Sequence, residues 1–109
     1  HQRAVADVVR FIDDNFDKPL DLNALADLAG MSPFHFLRAY KRLTGVTPHQ
    51  HLLRRRLTGA AHMLVTTDLS VTEIALCSGF QDLSNFNRSF RLEFGRSPTG
   101  YRAANASWV

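Results

Sequence analysis

Residues 70–102 read SVTEIALCSGFQDLSNFNRSFRLEFGRSPTGYR, and the punctuation of this stretch decides the fold. Ser70 and Glu73 form a capping box, in which a hydroxyl and a carboxylate three residues apart satisfy the first free N–H groups of a helix. Gly79 ends that helix, Asp82 caps a second that runs to about Phe94, and Ser97-Pro98 opens a third. Between these signals apolar residues recur at intervals of three and four, the spacing of a helix buried along one face. Ala75 precedes Gly79 by four residues. The small side chain lets a second helix cross closely, and the glycine can take the left-handed backbone of a tight turn. That is a helix-turn-helix arrangement.

Upstream, residues 22–48 carry the same text, LNALADLAGMSPFHFLRAYKRLTGVTP. Leu25, Ala26 and Gly30 recur 49 positions later as Ile74, Ala75 and Gly79. Ser32, Phe36, Arg38, Tyr40, Lys41, Gly45, Thr47 and Pro48 recur 50 positions later as Asp82, Phe86, Arg88, Phe90, Arg91, Gly95, Ser97 and Pro98, with Gln81 the expected insertion in the second turn. The rest of the chain is also helical in pattern. Val5, Val8, Val9, Ile12 and Phe16 mark a first helix that Lys18-Pro19 ends, and Asp21 caps a short second one to about Ala29. Ser32-Pro33 opens a third that stops at Gly45, and the capping box Thr47-Pro48-His49-Gln50 starts a long fourth to about Val65. No stretch alternates like a strand. The expectation is an all-α fold of seven helices in one domain, 1–109. Within it a first helix-turn-helix lobe, 1–46, is joined by a linker helix, 47–66, to a second lobe, 67–109.

The composition, 45% apolar and 21% charged, fits one ordinary folded domain of 109 residues. The longest apolar candidate, Ala60 to Val65, is interrupted by His62, far short of the roughly 18 residues a membrane span needs. Asp7, Asp13, Asp14 and Asp17 exclude a secretory signal at the start, and a single cysteine, Cys77, cannot close an intramolecular disulfide. A reducing cytoplasm is the expected compartment. Because the chain begins at His1 without an initiator Met, it is expected to be part of a longer protein.

A net charge of +3 hides a segregation. Residues 1–29 hold three basic side chains against six acidic ones, whereas residues 30–67 hold six basic side chains and no acidic one. An unopposed positive field points to a polyanion, of which nucleic acid is the commonest in a cytoplasm. At 100° per residue, Phe36, Ala39, Tyr40 and Leu43 of the third helix share a core arc. Phe34, Leu37, Arg38 and Lys41 face away from it. In the sixth helix Leu83, Phe86, Phe90 and Phe94 are expected inward, and Ser84, Asn87, Arg88 and Arg91 outward. The two outward sets correspond at the offset of 50. Arg38 and Arg88 match the paired acceptors of guanine, Asn87 can read adenine, and Ser84 a base or a phosphate. Phe34 and Leu37 suit thymine methyl groups. Lys41, Arg42, Arg91, His35, Asn85 and Arg54 are the candidates for phosphate contacts, which position a protein without reading sequence.

The fourth helix, with a core stripe of Leu53, Leu57, Ala60 and Leu64, should be about 27 Å long, against about 34 Å for a turn of B-DNA. It is expected to hold the lobes so that their recognition helices reach successive major grooves, giving a tandem readout without a palindrome. Arg54 and Arg55 leave its stripe, toward phosphate or solvent.

Leu22 to Arg102, and most densely Ser70-Val-Thr-Glu-Ile-Ala75, Gly79-Phe80, Phe86, Arg88, Phe90, Phe94-Gly95, Ser97-Pro98 and Tyr101-Arg102, resemble the DNA-binding domain of the AraC/XylS family of bacterial transcription regulators. The resemblance implies two helix-turn-helix lobes on double-stranded DNA, with base-reading places at Phe34, Leu37 and Arg38 and at Ser84, Asn87 and Arg88. It also implies a preceding domain that binds an effector or dimerises, and recruitment of RNA polymerase. Two positions depart from the family pattern: Leu37, where a polar residue is usual, and His51, where Tyr is common.

Other classes find little material. His49 and His51 point about 200° apart on a helix and make a poor zinc pair. No carboxylate is suggested as an orienting group for a Ser or His, there is no Gly-rich phosphate loop, and Cys77 is expected to be a buried, inert thiol. No catalytic activity, cofactor or metal is therefore expected. Asn105-Ala106-Ser107 matches a glycosylation acceptor pattern that has no meaning in a cytoplasmic tail. A helical protein-interaction module, docking through Phe34 and Leu37, is the alternative, distinguished by salt dependence.

Overall fold

The computed structural model describes residues 1–106; the last three residues of the expected second lobe, with Ser107 of the acceptor pattern, lie outside them. Among the described residues there are seven helices and no strand: α1 (Gln2–Asn15), α2 (Leu22–Ala29), α3 (Pro33–Thr44), α4 (Pro48–Thr66), α5 (Val71–Cys77), α6 (Leu83–Phe94) and α7 (Pro98–Ala104). None is long and apolar enough to cross a membrane.

Each cap legible in the sequence is made. The Asp21 carboxylate accepts from the Ala24 N–H at 2.8 Å, Ser32 Oγ from His35 at 3.3 Å, Asp82 from Ser84 at 2.9 Å and Ser97 Oγ from Gly100 at 3.0 Å. Both capping boxes close in both directions. Gln50 N–H donates to Thr47 Oγ1 at 3.1 Å while Gln50 Oε1 accepts from Thr47 N–H at 2.9 Å. The Ser70–Glu73 pair does the same at 3.1 and 3.3 Å. In the two helix-turn-helix turns Gly30 and Gly79 have φ of 68° and 94°, the left-handed region where a side chain would be strained.

The chain divides into two compact units, His1–Arg55 and Arg56–Val109, with the boundary inside α4. In the first unit Val5, Val8 and Ile12 of α1, Leu25 and Ala26 of α2, Phe36 and Tyr40 of α3 and Leu52 of α4 form one buried cluster. In the second, Leu57, Ala60, Ala61 and Leu64 are buried on α4, with Ile74, Ala75, Phe80, Phe86 and Phe90 beyond it. Arg102 of α7 belongs to this unit's architecture. Its guanidinium donates to the carbonyl of Leu64 in the last turn of α4 at 3.0 Å, and to those of Thr67 at 3.2 Å and Leu69 at 2.7 Å in the segment that follows the helix.

Several side chains differ in burial from the sequence expectation. Leu52, rather than Leu53, is the buried leucine in the first half of α4. Leu43 and Leu83, expected inside, are 42% and 41% exposed. Each sits near an end of its helix, where the opposing layer no longer covers it. Cys77 is exposed, because α5 is only seven residues long and buries just Ile74 and Ala75.

Candidate nucleic-acid interface

The outer faces of α3 and α6 follow from what their inner faces bury. Phe36 and Tyr40 are fully buried in α3, and Phe86 and Phe90 in α6, at the offset of 50. That leaves Phe34, His35, Arg38, Lys41 and Arg42 exposed on the first helix. On the second, Ser84, Asn85, Asn87, Arg88 and Arg91 are exposed. No carboxylate belongs to the exposed face of α3, and Lys41, Arg42 and Arg91 lie in last turns, where a cation also complements the helix dipole.

The two central arginines are held differently. The Arg38 guanidinium lies 5.6 Å from the centroid of the Phe34 ring one turn earlier, a cation–π contact on a side chain that is itself 63% exposed. Phe34 in turn meets the His35 ring edge-on at 5.9 Å, and His35 Nδ1 is hydrogen-bonded to Ser32 Oγ at 2.9 Å. Arg88 instead donates to Asn85 Oδ1 at 3.4 Å, and the same oxygen accepts from Ser89 Oγ at 3.4 Å. Asn85, read from the sequence only as a phosphate contact, thus has its carbonyl turned to the neighbouring arginine.

Leu37 is half-buried and lines an apolar cavity of about 340 Å³ together with Leu20, Leu25, Pro48 and Leu52. Much of its surface is therefore turned to protein. Arg54 is exposed. Arg55, expected at phosphate or solvent, is committed elsewhere: its guanidinium stacks 4.1 Å from the Phe16 ring, with Nε 3.9 Å from Asp13.

His51 does have an orienting carboxylate, contrary to the expectation, in Asp13 at 3.0 Å. The hydroxyl on its other side belongs to Tyr40, which is fully buried and inaccessible to a substrate. Sequence spacing gave no sign of this pairing, since 38 residues separate Asp13 from His51. Among the described residues no group of His, Cys, Asp or Glu is placed to hold a metal ion.

Two helix-turn-helix lobes with matching basic faces define a DNA-binding domain, and the comparisons with known proteins agree. Residues 25–104 match the family described as helix-turn-helix domain. The regulatory protein SoxS of Escherichia coli (strain K12) is 33% identical over 102 residues, covering 94% of this chain and 95% of that protein. The HTH-type transcriptional activator RhaS of Escherichia fergusonii is 39% identical over 95 residues, covering 87% of this chain but 34% of that protein. The crystal structure of the DNA-binding domain of AdpA, a global transcriptional factor in complex with a target DNA, superposes with a TM-score of 0.88 at 37% identity, covering 92% of this chain and 90% of that one. The chain belongs to the AraC/XylS-type helix-turn-helix family of transcription regulators.

Proposed function

We propose that each lobe of this chain reads one box of double-stranded DNA with the exposed face of its second helix-turn-helix helix. In the first lobe Phe34 and Arg38 meet base edges, with Leu37 at the inner margin of that face. In the second, Ser84, Asn87 and Arg88 do so. Lys41, Arg42, Arg91, His35, Asn85 and Arg54 contact phosphate. The observation that carries this reading is the duplication itself. Arg38 and Arg88 stand at equivalent places on two exposed faces, each backed by a buried pair of aromatic residues at equivalent positions.

The domain works as the DNA-reading part of a bacterial, cytoplasmic, effector-responsive regulator. A preceding domain binds the effector or dimerises, the assembly acts on RNA polymerase, and the chain itself carries no catalytic activity. RhaS, of which this chain covers 34%, supports the longer protein.

Selection of bound sequences from a random duplex pool at a stated, near-physiological salt concentration tests the reading. Two unlike boxes in tandem are expected. On the selected duplex Arg88→Ala should cost about 1 to 3 kcal/mol and relax preference at one base, whereas Lys41→Ala should weaken all duplexes alike and lower the salt slope by about one. Binding without enrichment and without salt dependence would replace DNA readout by protein docking.

A further inference from the structure

Three helices of the first unit meet at one polar point on the edge of its apolar core, where the Asp13 side chain is 44% exposed and that of His51 20%. Tyr40 of α3 is fully buried, and its hydroxyl is hydrogen-bonded to Nδ1 of His51 on α4. The other ring nitrogen of His51, Nε2, lies 3.0 Å from Oδ1 of Asp13 on α1. The charged and titratable groups facing the imidazole are therefore Asp13 from α1, Tyr40 from α3 and, one turn along α4, Arg55, which is 3.9 Å from the same Asp13 oxygen.

One arrangement of hydrogens satisfies every atom. An ionised Asp13 only accepts, so Nε2 carries the imidazole hydrogen; Nδ1 is then an acceptor and takes the Tyr40 O–H. Burial, and then the negative charge of Asp13, push Tyr40 up to about 12, so the phenol keeps its hydrogen at physiological pH. A second proton on the imidazole goes to Nδ1 and turns that atom into a donor. The Tyr40 oxygen must then accept, and its own hydrogen is left in the core without an acceptor, an arrangement that a buried polar group resists.

The internal repeat supplies the contrast. At the offset of 50, Tyr40 and His51 correspond to Phe90 and Tyr101. Phe90 meets Tyr101 edge-on at 5.4 Å, whereas the Tyr40 and His51 rings lie tilted at 36° with centroids 6.0 Å apart. A ring-to-ring contact between a recognition helix and the helix that follows it thus occurs at equivalent positions in both lobes, and only in the first is it built on an imidazole.

We propose that His51 is a positioning residue: through Tyr40 it sets the rotation of α3 about its own axis, and its protonation loosens that setting, so that the first lobe's grip on DNA weakens as the pH falls. Tyr40 lies on the buried side of the helix that carries Arg38 and Lys41, two residues from one and next to the other, so any turn of α3 that relieves Tyr40 displaces both from their targets. The proposal rests on the reading of α3 as a recognition helix.

The test is the affinity of the whole chain for its selected two-box duplex, from about pH 8 to about pH 5 at constant salt. Wild type is compared with His51→Gln, whose amide can donate to Asp13 and accept from Tyr40 without titrating. A double variant, Tyr40→Phe with His51→Tyr, copies the second lobe's joint and guards against misfolding of the single one. Subtracting either variant's profile from the wild-type profile removes the contributions of the other histidines. Wild type should lose about tenfold more affinity on acidification than either variant. The excess should vanish on a duplex whose first-lobe box is scrambled. Parallel profiles, or an excess that survives scrambling, would overturn the proposal while leaving α3 as a reader if Arg38→Ala still weakens binding. Arg38→Ala and Lys41→Ala that both bind as wild type would remove α3 as a reader, and the proposal with it.

Discussion

The two lobes repeat one sequence pattern but hold themselves together by different chemistry. The first joins an aliphatic cluster from α1, α2 and α4 to Phe36 and Tyr40, and ties three helices through the Asp13–His51–Tyr40 hydrogen bonds. The second lobe packs rings in succession. Phe80 and Phe86 lie 5.0 Å apart, Phe86 and Phe90 5.7 Å, Phe90 and Phe94 4.6 Å, and Tyr101 meets Phe90 and Phe94 at 5.4 and 5.3 Å. Its polar tie is Arg102 on three backbone carbonyls. Duplication thus preserved where side chains must be buried without preserving what fills the space. That tolerance is expected of cores that keep volume and patterning.

The largest expected effect sharpens this contrast. Phe36→Ala and Phe86→Ala remove fully buried, equivalent rings, and each should cost about 3 to 5 kcal/mol. Phe86, which touches two further aromatic rings, belongs at the upper end; Phe36 meets Tyr40 at 5.5 Å. Denaturant unfolding followed by amide exchange should show protection lost first in the lobe that carries the substitution. Equal costs would mean that ring-to-ring contacts in the second lobe add nothing beyond their buried area.

Arg102 comes next. Its replacement by alanine leaves the carbonyls of Leu64, Thr67 and Leu69 without their cationic donor and should destabilise the chain by about 2 kcal/mol. Arg102→Lys should recover only part of this, because an ammonium cannot fork toward three oxygens as a guanidinium does. Full recovery in a denaturant titration would reduce the role of Arg102 to charge at a helix C-terminus.

The elements were legible because their ends are spelled locally. Asp21, Ser32, Thr47, Ser70, Asp82 and Ser97 each meet a backbone N–H two or three residues on, so neighbours in sequence settle the boundary. The outer faces of α3 and α6 were legible for a related reason: a helical wheel needs only periodicity. What escaped the sequence depends on partners far along the chain. Leu37 looked outward on the wheel, yet Leu20, Leu25, Pro48 and Leu52 build a cavity beside it. Arg55 looked free for phosphate or solvent, yet α1 and the turn after it supply Asp13 and Phe16. His51 and Arg102 find partners 38 residues away. No spacing rule joins such pairs, and only the packing of one helix on another reveals them.

The smallest predicted effect concerns a position where the lobes differ by one oxygen. Ser78 occupies the second turn where, 49 residues earlier, the first has Ala29. Its side chain is fully buried and among the described residues its Oγ has no hydrogen-bond partner, so the hydroxyl has given up water for nothing. The backbone work at this point is independent of that oxygen: the Ser78 N–H donates to the Ile74 carbonyl at 2.9 Å, and alanine would donate equally. Ser78→Ala should therefore stabilise the chain by about 1 kcal/mol, seen as a higher denaturant midpoint with an unchanged slope. The reverse exchange, Ala29→Ser, should be unfavourable by a similar amount where Ala29 is partly buried against the first core. If Ser78→Ala instead lowers the midpoint, the hydroxyl has a partner inside the second turn, and that turn is held by side-chain hydrogen bonding where the first relies on apolar packing.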